Sequence, residues 1–352
     1  MVNWSSSMQQ DFEYYIVDPG TWKNAKKIEN VISCTINRDS SAETLGAANI
    51  SVNESLGECY IRIYLVTIQN GVKERHPLGV FLVQTPSSKF DGKVQSISID
   101  AYTPLLELKE SPPSIGYYVG KTENIMNAAY EIVRDNVRAP VVQTTCKTRL
   151  RSDFVANTDD TWLTFTSDLI ANAEYSFALD EMGRILFSPY RDTASLQPVW
   201  TYTDDNSSIL YPELDTDHDL YGIPNVVEVV YSNGDEHYYS RVVNDDSSSP
   251  ISTVNREREI IHRVSNPNLN GELSQVRIDE YAKSLLRELS CLEYTITYTH
   301  GYCPVRLGDC VRLNYDRSGL TGVKAKVISQ SIKCEPGCPV TEKAVFTNKL
   351  WR

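Results

Sequence analysis

Cys303, Cys310, Cys334 and Cys338 put half of the chain's eight cysteines near its C-terminus, spaced C-x6-C and C-x3-C. Four thiolates that converge bind zinc or an iron–sulfur cluster, and this is the candidate metal or cofactor site. The spacing departs from the C-x2-C knuckle. The same residues also fit free buried thiols, or a Cys334–Cys338 bridge formed in an oxidising milieu. A local ladder brings them near one another. If Asp316 to Leu320 is a turn between strands 310–315 and 322–333, Cys334 falls opposite Cys303. Glu335-Pro336-Gly337 then returns Cys338 beside Cys334, and Pro304 to Asp309 carries Cys310 back. Cys34, Cys59, Cys146 and Cys291 read as isolated core or half-buried positions.

Other chemistry is sparse. Asp215-Thr216-Asp217-His218-Asp219 alternates oxygen ligands, but Leu220 stands where an EF-hand needs its glycine and Val226 where it needs its bidentate Glu. A solvated loop is the expectation there. The five histidines are scattered, and His237 reads as a packed or hydrogen-bonded strand residue. The sequence has no nucleophile elbow, phosphate-cradling loop, His-Glu-x-x-His or dinucleotide fingerprint. A carboxylate pair for glycoside hydrolysis has no short motif, so it stays open.

The elements that must position these residues belong to a chain of 352 residues, long enough for two to four domains. With 46 acidic against 34 basic residues, net −12, the surface disfavours sequence-independent nucleic-acid binding and docking on anionic membranes. Tyrosine, at 21, outnumbers Phe and Trp together and suits half-buried strands and polar interfaces. No apolar run approaches the roughly 20 residues of a spanning helix, and the start lacks a signal-peptide pattern, so no membrane anchor is expected.

Residues 1 to about 110 read as short strands: Ile61, Ile63 and Leu65 alternate, Asn70-Gly71 turns, Gly79 to Val83 is continuously apolar, and Val94 to Tyr102 follows an Asp91-Gly92 turn. Ser111-Pro112-Pro113-Ser114 marks a boundary. Beyond it, a helix capped at Thr122 buries Ile125, Ala129, Ile132 and Val133. A second helix runs from about Asp159 or Asp160 to Ala173, and a hairpin turns at Asp180-Glu181-Met182-Gly183. Strands return at 226–231 and 237–243 around Ser232 to Asp235. A mobile-looking polar loop covers Asn244 to Pro250, and a helix runs from about Leu273 to Ser290 with Val276, Tyr281, Leu285 and Leu289 among its apolar positions. The remainder is again β.

Three sets of segments carry a family resemblance. The first is Ile32 to Arg38, Ala47 to Val52, Leu78 to Val83 and Ile97 to Leu106. The second is Asp180 to Ile185. The third is Ile223 to Val227 with Leu307 to Val311. Together they resemble the tail hub (baseplate hub) proteins of tailed bacteriophages, prophages and phage-tail-like particles.

The resemblance implies a mainly β chain with α+β insertions: two similar antiparallel β-barrel hub domains plus smaller α/β domains. The N-terminal barrel would cover 1–112, an α+β domain 113–199, and a second, split barrel 200–243 and 291–352. An inserted segment with a helix would cover 244–290. It also implies a homotrimer whose six barrels form a pseudo-sixfold ring joining the tail tube to the tip spike or fibre. That ring would enclose the tape-measure protein and a channel through which DNA passes without specific binding. Partners would include the tail tube or distal tail protein and other baseplate proteins. The location would be the virion tail tip, assembled in the host cytoplasm.

Some tail-tip relatives carry a four-cysteine iron–sulfur site, which matches Cys303, Cys310, Cys334 and Cys338. Because the chain stops at Leu350-Trp351-Arg352, no appended hydrolase is expected and the protein is read as a non-enzyme. A tail-associated peptidoglycan hydrolase with carboxylates inside 113–195 and a carbohydrate-binding receptor module are the alternatives.

Overall fold

Alternating apolar residues build seven N-terminal strands: β1 (Gln9–Asp18), β2 (Lys23–Ile28), β3 (Val31–Asp39), β4 (Gly46–Val52), β5 (Tyr60–Gln69), β6 (Val72–Phe90) and β7 (Gln95–Tyr102). They pair antiparallel, β3 with β4, β4 with β7, then β6, β5, β1 and β2 in turn. The computed structural model that gives this architecture describes residues 2–54, 56–90, 92, 95–206, 208–233, 236–267 and 274–351. Ile61, Ile63 and Leu65 of β5 enter a core with Ile36, Ile50, Phe81 and Ile99. The opposite face of β5 is buried too, because Tyr60 packs with Val17, Val80 and Leu82, and Arg62 beside it is 2% exposed. Asn70 and Gly71 have φ of 51° and 78° and leave Gln69 paired with Val72, the two-residue hairpin that Asn-Gly favours. The expected turn residue Asp91 and strand residue Val94 lie outside the described residues.

After α1 (Leu106–Glu110) and the diproline come β8 (Tyr118–Val119), α2 (Ile125–Asn136), β9 (Phe154–Val155), α3 (Trp162–Ala171), β10 (Tyr175–Leu179) and β11 (Ile185–Pro189). Ile125, Ala129 and Val133 of α2 share a second core with Phe165, Leu169 and Ile170 of α3. The cap of α2 is Asn124 rather than Thr122: its Oδ1 accepts from Asn127 N at 3.0 Å, whereas Thr122 is a left-handed turn residue at φ 73°. Thr161 and Thr164 cap α3 reciprocally.

β12 (Trp200–Thr203) and β13 (Leu210–His218) follow. Asp215 to His218, expected in a loop, are the exposed end of β13. Contacts divide the chain into two units, Met1–Leu214 with Tyr298–Ala344, and Asp215–Thr297 with Val345–Arg352. The second holds β14 (Val226–Asn233), β15 (Glu236–Val243), α4 (Thr253–Arg256), β16 (Ile261–Ser265) and α5 (Gln275–Leu289).

β14 lies between antiparallel β15 and parallel β16, and Val227 and Val229 pack under Ile278, Ala282 and Leu286 of α5. β14 and β15, expected in the split barrel, form a separate sheet with β16 of the inserted segment, β14 pairing with β16. The buried stripe of α5 is Ile278, Ala282 and Leu286. Tyr281, Leu285 and Leu289 flank it, and Val276 is 66% exposed. Gly234 and Asp235 of the expected turn and Leu273 of the expected helix lie outside the described residues.

Asn244 to Pro250 is a hydrogen-bonded turn. Buried Asn244 donates through Nδ2 to Ser249 Oγ at 3.0 Å, and Asn255 Nδ2 donates to the Ser247 and Ser249 carbonyls, each at 2.8 Å. Polar loop residues bond their own backbone here and so fix it.

The last strands are β17 (Cys291–Gly301), β18 (Cys310–Tyr315), β19 (Leu320–Lys333) and β20 (Pro339–Lys349). β19 is shared. Its first half pairs with β18, Cys310 opposite Lys326, and its second half pairs with β3, Lys333 opposite Thr35. The hydrogen-bonded path runs β13-β17-β20-β19-β3-β4-β7-β6-β5-β1-β2, with β18 on β19 and β12 parallel to β18. The chain is thus mainly β with short helical insertions.

Candidate functional site

In the first unit, the lining of a groove of about 510 Å³ includes Leu78 to Phe81 of β6, the β10–β11 turn, and Arg306 to Asp309 before β18. The β10–β11 turn is fixed by Asp180. Its Oδ1 accepts from Met182 N at 3.0 Å and Arg184 N at 2.8 Å, and its Oδ2 accepts from Arg184 Nε at 2.5 Å. Gly183 closes the turn at φ 77°, with Val80 beneath it. The Met182 carbonyl then accepts from Trp22 Nε1 at 2.8 Å and from the buried Arg62 guanidinium at 3.4 Å. Glu181 pairs with Arg306 at 2.6 Å, and Arg306 N donates to Asp309 Oδ2 at 2.9 Å. Burial pushes the Asp309 carboxyl above its ordinary value.

The carboxylates of this groove are held by ion pairs and backbone amides. The lining contains no histidine or cysteine. Among the described residues of 113–195, Asp180 is the buried carboxylate, and an arginine and two backbone amides occupy it.

A second polar cluster is sealed inside the same unit. His300 and Glu342 are fully buried 3.4 Å apart, and both are surrounded by partners. Glu342 Oε2 accepts from Tyr298 Oη at 2.7 Å and Tyr202 Oη at 3.3 Å; Oε1 accepts from Gln330 Nε2 at 2.6 Å. Arg38 Nη1 donates to Gln330 Oε1 at 2.9 Å. His300 Nδ1 donates to the Gly301 carbonyl at 2.7 Å, and Nε2 faces Tyr202 Oη at 3.0 Å.

Burial alone would lower the imidazole pKa, but the Glu342 carboxylate carries it up to about 10. Burial likewise opposes the Glu342 charge, yet His300, Gln330 and Tyr298 hold its pKa below the ordinary value. Cys303 lies 3.9 Å from His300 Nδ1, so thiol, imidazole and carboxylate stand in the order of a hydrolytic triad. Cys303, His300 and Glu342 are all buried.

The four C-terminal cysteines do not make one ligand set. Cys303 belongs to the Tyr202–His300 cluster, with Tyr202 Oη 3.4 Å from its sulfur. Buried Cys310 starts β18, its Sγ 3.8 Å from the Val311 carbonyl. Cys338 is buried in the β1–β7 core, against which half-buried Cys334 packs. Among the described residues no group of three or more His, Cys, Asp or Glu is disposed to hold a metal. The expected ladder fails beyond residue 327 because the far half of β19 pairs with β3. Cys334 therefore meets Cys34, its N donating to the Cys34 carbonyl at 2.9 Å.

A tail protein from Neisseria meningitidis superposes on 97% of this chain and 98% of its own, with a TM-score of 0.61 at 11% identity. The fold is that of phage tail proteins. The 43 kDa tail protein of prophage MuSo2 from Shewanella oneidensis gives the same TM-score of 0.61 and 11% identity, over 96% of this chain and 98% of that one. An Escherichia coli component of the type VI secretion system, described as similar to the T4 tail proteins gp27 and gp5, matches with a TM-score of 0.51. It shares 9% identity over 94% of this chain and 76% of its own. No protein-family model and no curated protein matches the sequence.

Within this tail-protein fold, the segments 78–83, 180–185 and 307–311 meet at one groove. Sequence reasoning placed Cys34 in the core but missed its meeting with Cys334, and it missed the buried His300–Glu342 cluster. The alternation of Tyr298 and His300 at the end of β17 was the local signal for the cluster.

Proposed function

We propose that this chain is a structural hub of a phage tail tip or baseplate, acting without catalysis. Three copies would form a pseudo-sixfold ring that joins the tail tube to a tip spike or fibre and encloses the tape-measure and DNA channel. The full-length likeness to the Neisseria tail protein carries this reading, because it spans nearly all of both chains rather than one shared module. The proposed barrels are 1–112 and, split, the strands of 200–218 with 291–352. Residues 113–199 form the α+β domain, and the β14–α5 segment is an insertion. The excess of acidic residues suits a channel wall that does not grip DNA.

A closed ring of identical chains needs two different surfaces that fit each other. The two ends of the sheet path offer such a pair. β2 exposes Lys23, Lys26 and Lys27, and β13 exposes Glu213, Asp215 and Asp217.

Light scattering and negative-stain microscopy of the purified chain test the reading: a trimer or a ring of hub dimensions is expected. A stable monomer that clears peptidoglycan overturns it in favour of a hydrolase. A monomer that binds glycans without cleaving them overturns it in favour of a receptor module.

A further inference from the structure

The seam between β3 and β19 joins the N-terminal strands to the C-terminal ones, and it ends on two thiols. The register that sets Lys333 opposite Thr35 sets Cys334 opposite Cys34, and the Cys334 N–H to Cys34 carbonyl bond continues that ladder by one residue. Residues directly opposite in such a hydrogen-bonded antiparallel pair have Cα atoms about 5.5 Å apart, with side chains on one face. A disulfide spans Cα separations of about 4.4–6.8 Å. The two side chains share surroundings as well: Cys34 is in the core formed by β1–β7, and Cys334 packs against it. Tyr14 lies against both sulfurs.

We propose that Cys34 and Cys334 are a thiol pair that forms a cross-strand disulfide when the protein meets an oxidising, disulfide-containing milieu. Such a bond closes the seam covalently. The order of events follows from exposure. Half-buried Cys334 is reached first. Its thiolate attacks one sulfur of a small disulfide such as oxidised glutathione, forms a mixed disulfide and expels one glutathione thiolate, which takes up the proton that Cys334 released. The hydrogen bond with Cys334 and burial raise the Cys34 pKa and keep that thiol protonated, which suits it to the second, slower step. Cys34 then gives up its proton and attacks the Cys334 sulfur, and the second glutathione leaves as a thiol. Two protein thiols are oxidised, and one glutathione disulfide is reduced to two glutathione thiols.

Cys338, the neighbour in sequence, is the weaker partner. It is fully buried and follows a turn closed by its own N–H on the Glu335 carbonyl, in register with neither cysteine. The proposed bond links positions far apart in the chain, so it restricts the unfolded ensemble strongly.

The test uses the full chain, purified reduced and then incubated with oxidised glutathione at mildly alkaline pH. Free thiols are alkylated, and the protein is digested without reduction for mass spectrometry. The expected product is one cross-linked peptide pair containing Cys34 and Cys334. The urea unfolding midpoint should rise on oxidation and return with dithiothreitol. The Cys338→Ser variant should keep the cross-link, and Cys334→Ser should lose both the cross-link and the shift. Glutathione retained on Cys334, a Cys334–Cys338 peptide, or both thiols still open to alkylation would each overturn the proposal. Mapping the wild-type chain decides the matter even if a serine variant fails to fold.

Discussion

His300 and Glu342 face each other across 3.4 Å with neither side chain open to solvent, and Tyr298, Tyr202 and Gln330 take up the remaining carboxylate lone pairs. The pair is retained as an ion pair because each charge has an opposite partner and further hydrogen bonds. Removing one partner strands the other in the interior. Glu342→Gln should therefore lower the unfolding free energy by about 3–5 kcal/mol, measured by urea denaturation. A loss below about 1 kcal/mol would mean that the pair is not charged.

The same pair sets a pH dependence. A histidine raised from its ordinary 6.5 to about 10 on folding binds its proton more tightly in the native state. Its contribution is complete below pH 6.5 and is lost as pH rises towards 10. Glu342, lowered on folding, contributes above its ordinary carboxylate range and loses that contribution as pH falls through its native value. Between pH 6.5 and 7.5, about a unit below the ordinary thiol pKa, the melting temperature should fall steadily. His300→Gln should flatten that slope. An equal slope in both proteins would show that His300 is neutral when folded.

Gly183 tests the wall of the groove. A Cβ there would come within 2.5 Å of Val80 Cβ, and φ is 77°. Gly183→Ala should destabilise by about 2–4 kcal/mol, combining overpacking with a left-handed backbone. Arg306→Ala, which removes only a half-exposed ion pair to Glu181, should cost under about 1 kcal/mol. Comparable losses for the two variants in urea denaturation would mean that the turn is not docked on β6.

Legibility in the sequence followed the range of the contacts. The Asn70-Gly71 hairpin, the inward face of α2 and the β10–β11 turn were readable because each is decided within a few residues. The meeting of Cys34 with Cys334 was not, because it is set by β19, from the other end of the chain. The predicted Cys303–Cys334 ladder failed for the same reason: local strand logic gave all of β19 to β18, while long-range pairing took half of it. Asn244 to Pro250 looked mobile because its composition is polar. Composition does not reveal that Asn244 accepts from Asp246 N or that Asn255 of α4 donates to the Ser249 carbonyl.

That loop yields its own prediction. Asn244→Ala removes a buried amide and leaves Asp246 N and Ser249 Oγ without their partner. It should cost about 1–3 kcal/mol in urea denaturation, whereas Asp245→Ala on the exposed side should be near neutral. Equal losses would mean that the loop draws no order from its buried amide.

Assembly through the sheet edges has a charge-swap test. Exposed lysines on an edge strand normally keep other strands away. Among the described residues, however, neither Lys23 nor Lys26 of β2, nor Asp215 nor Asp217 of β13, has an ion-pair partner. If copies meet through these edges, Lys23→Glu with Lys26→Glu should shift the protein to monomer in light scattering without changing its circular dichroism. Asp215→Lys with Asp217→Lys should do the same alone and restore the oligomer when combined with the first pair. Raising salt should weaken the wild-type assembly, because exposed charges are screened within about 10 Å at 0.1 M. A wild-type trimer untouched by either double substitution would leave the hub reading standing and remove these edges from the contact. A wild-type monomer would instead count against the hub itself.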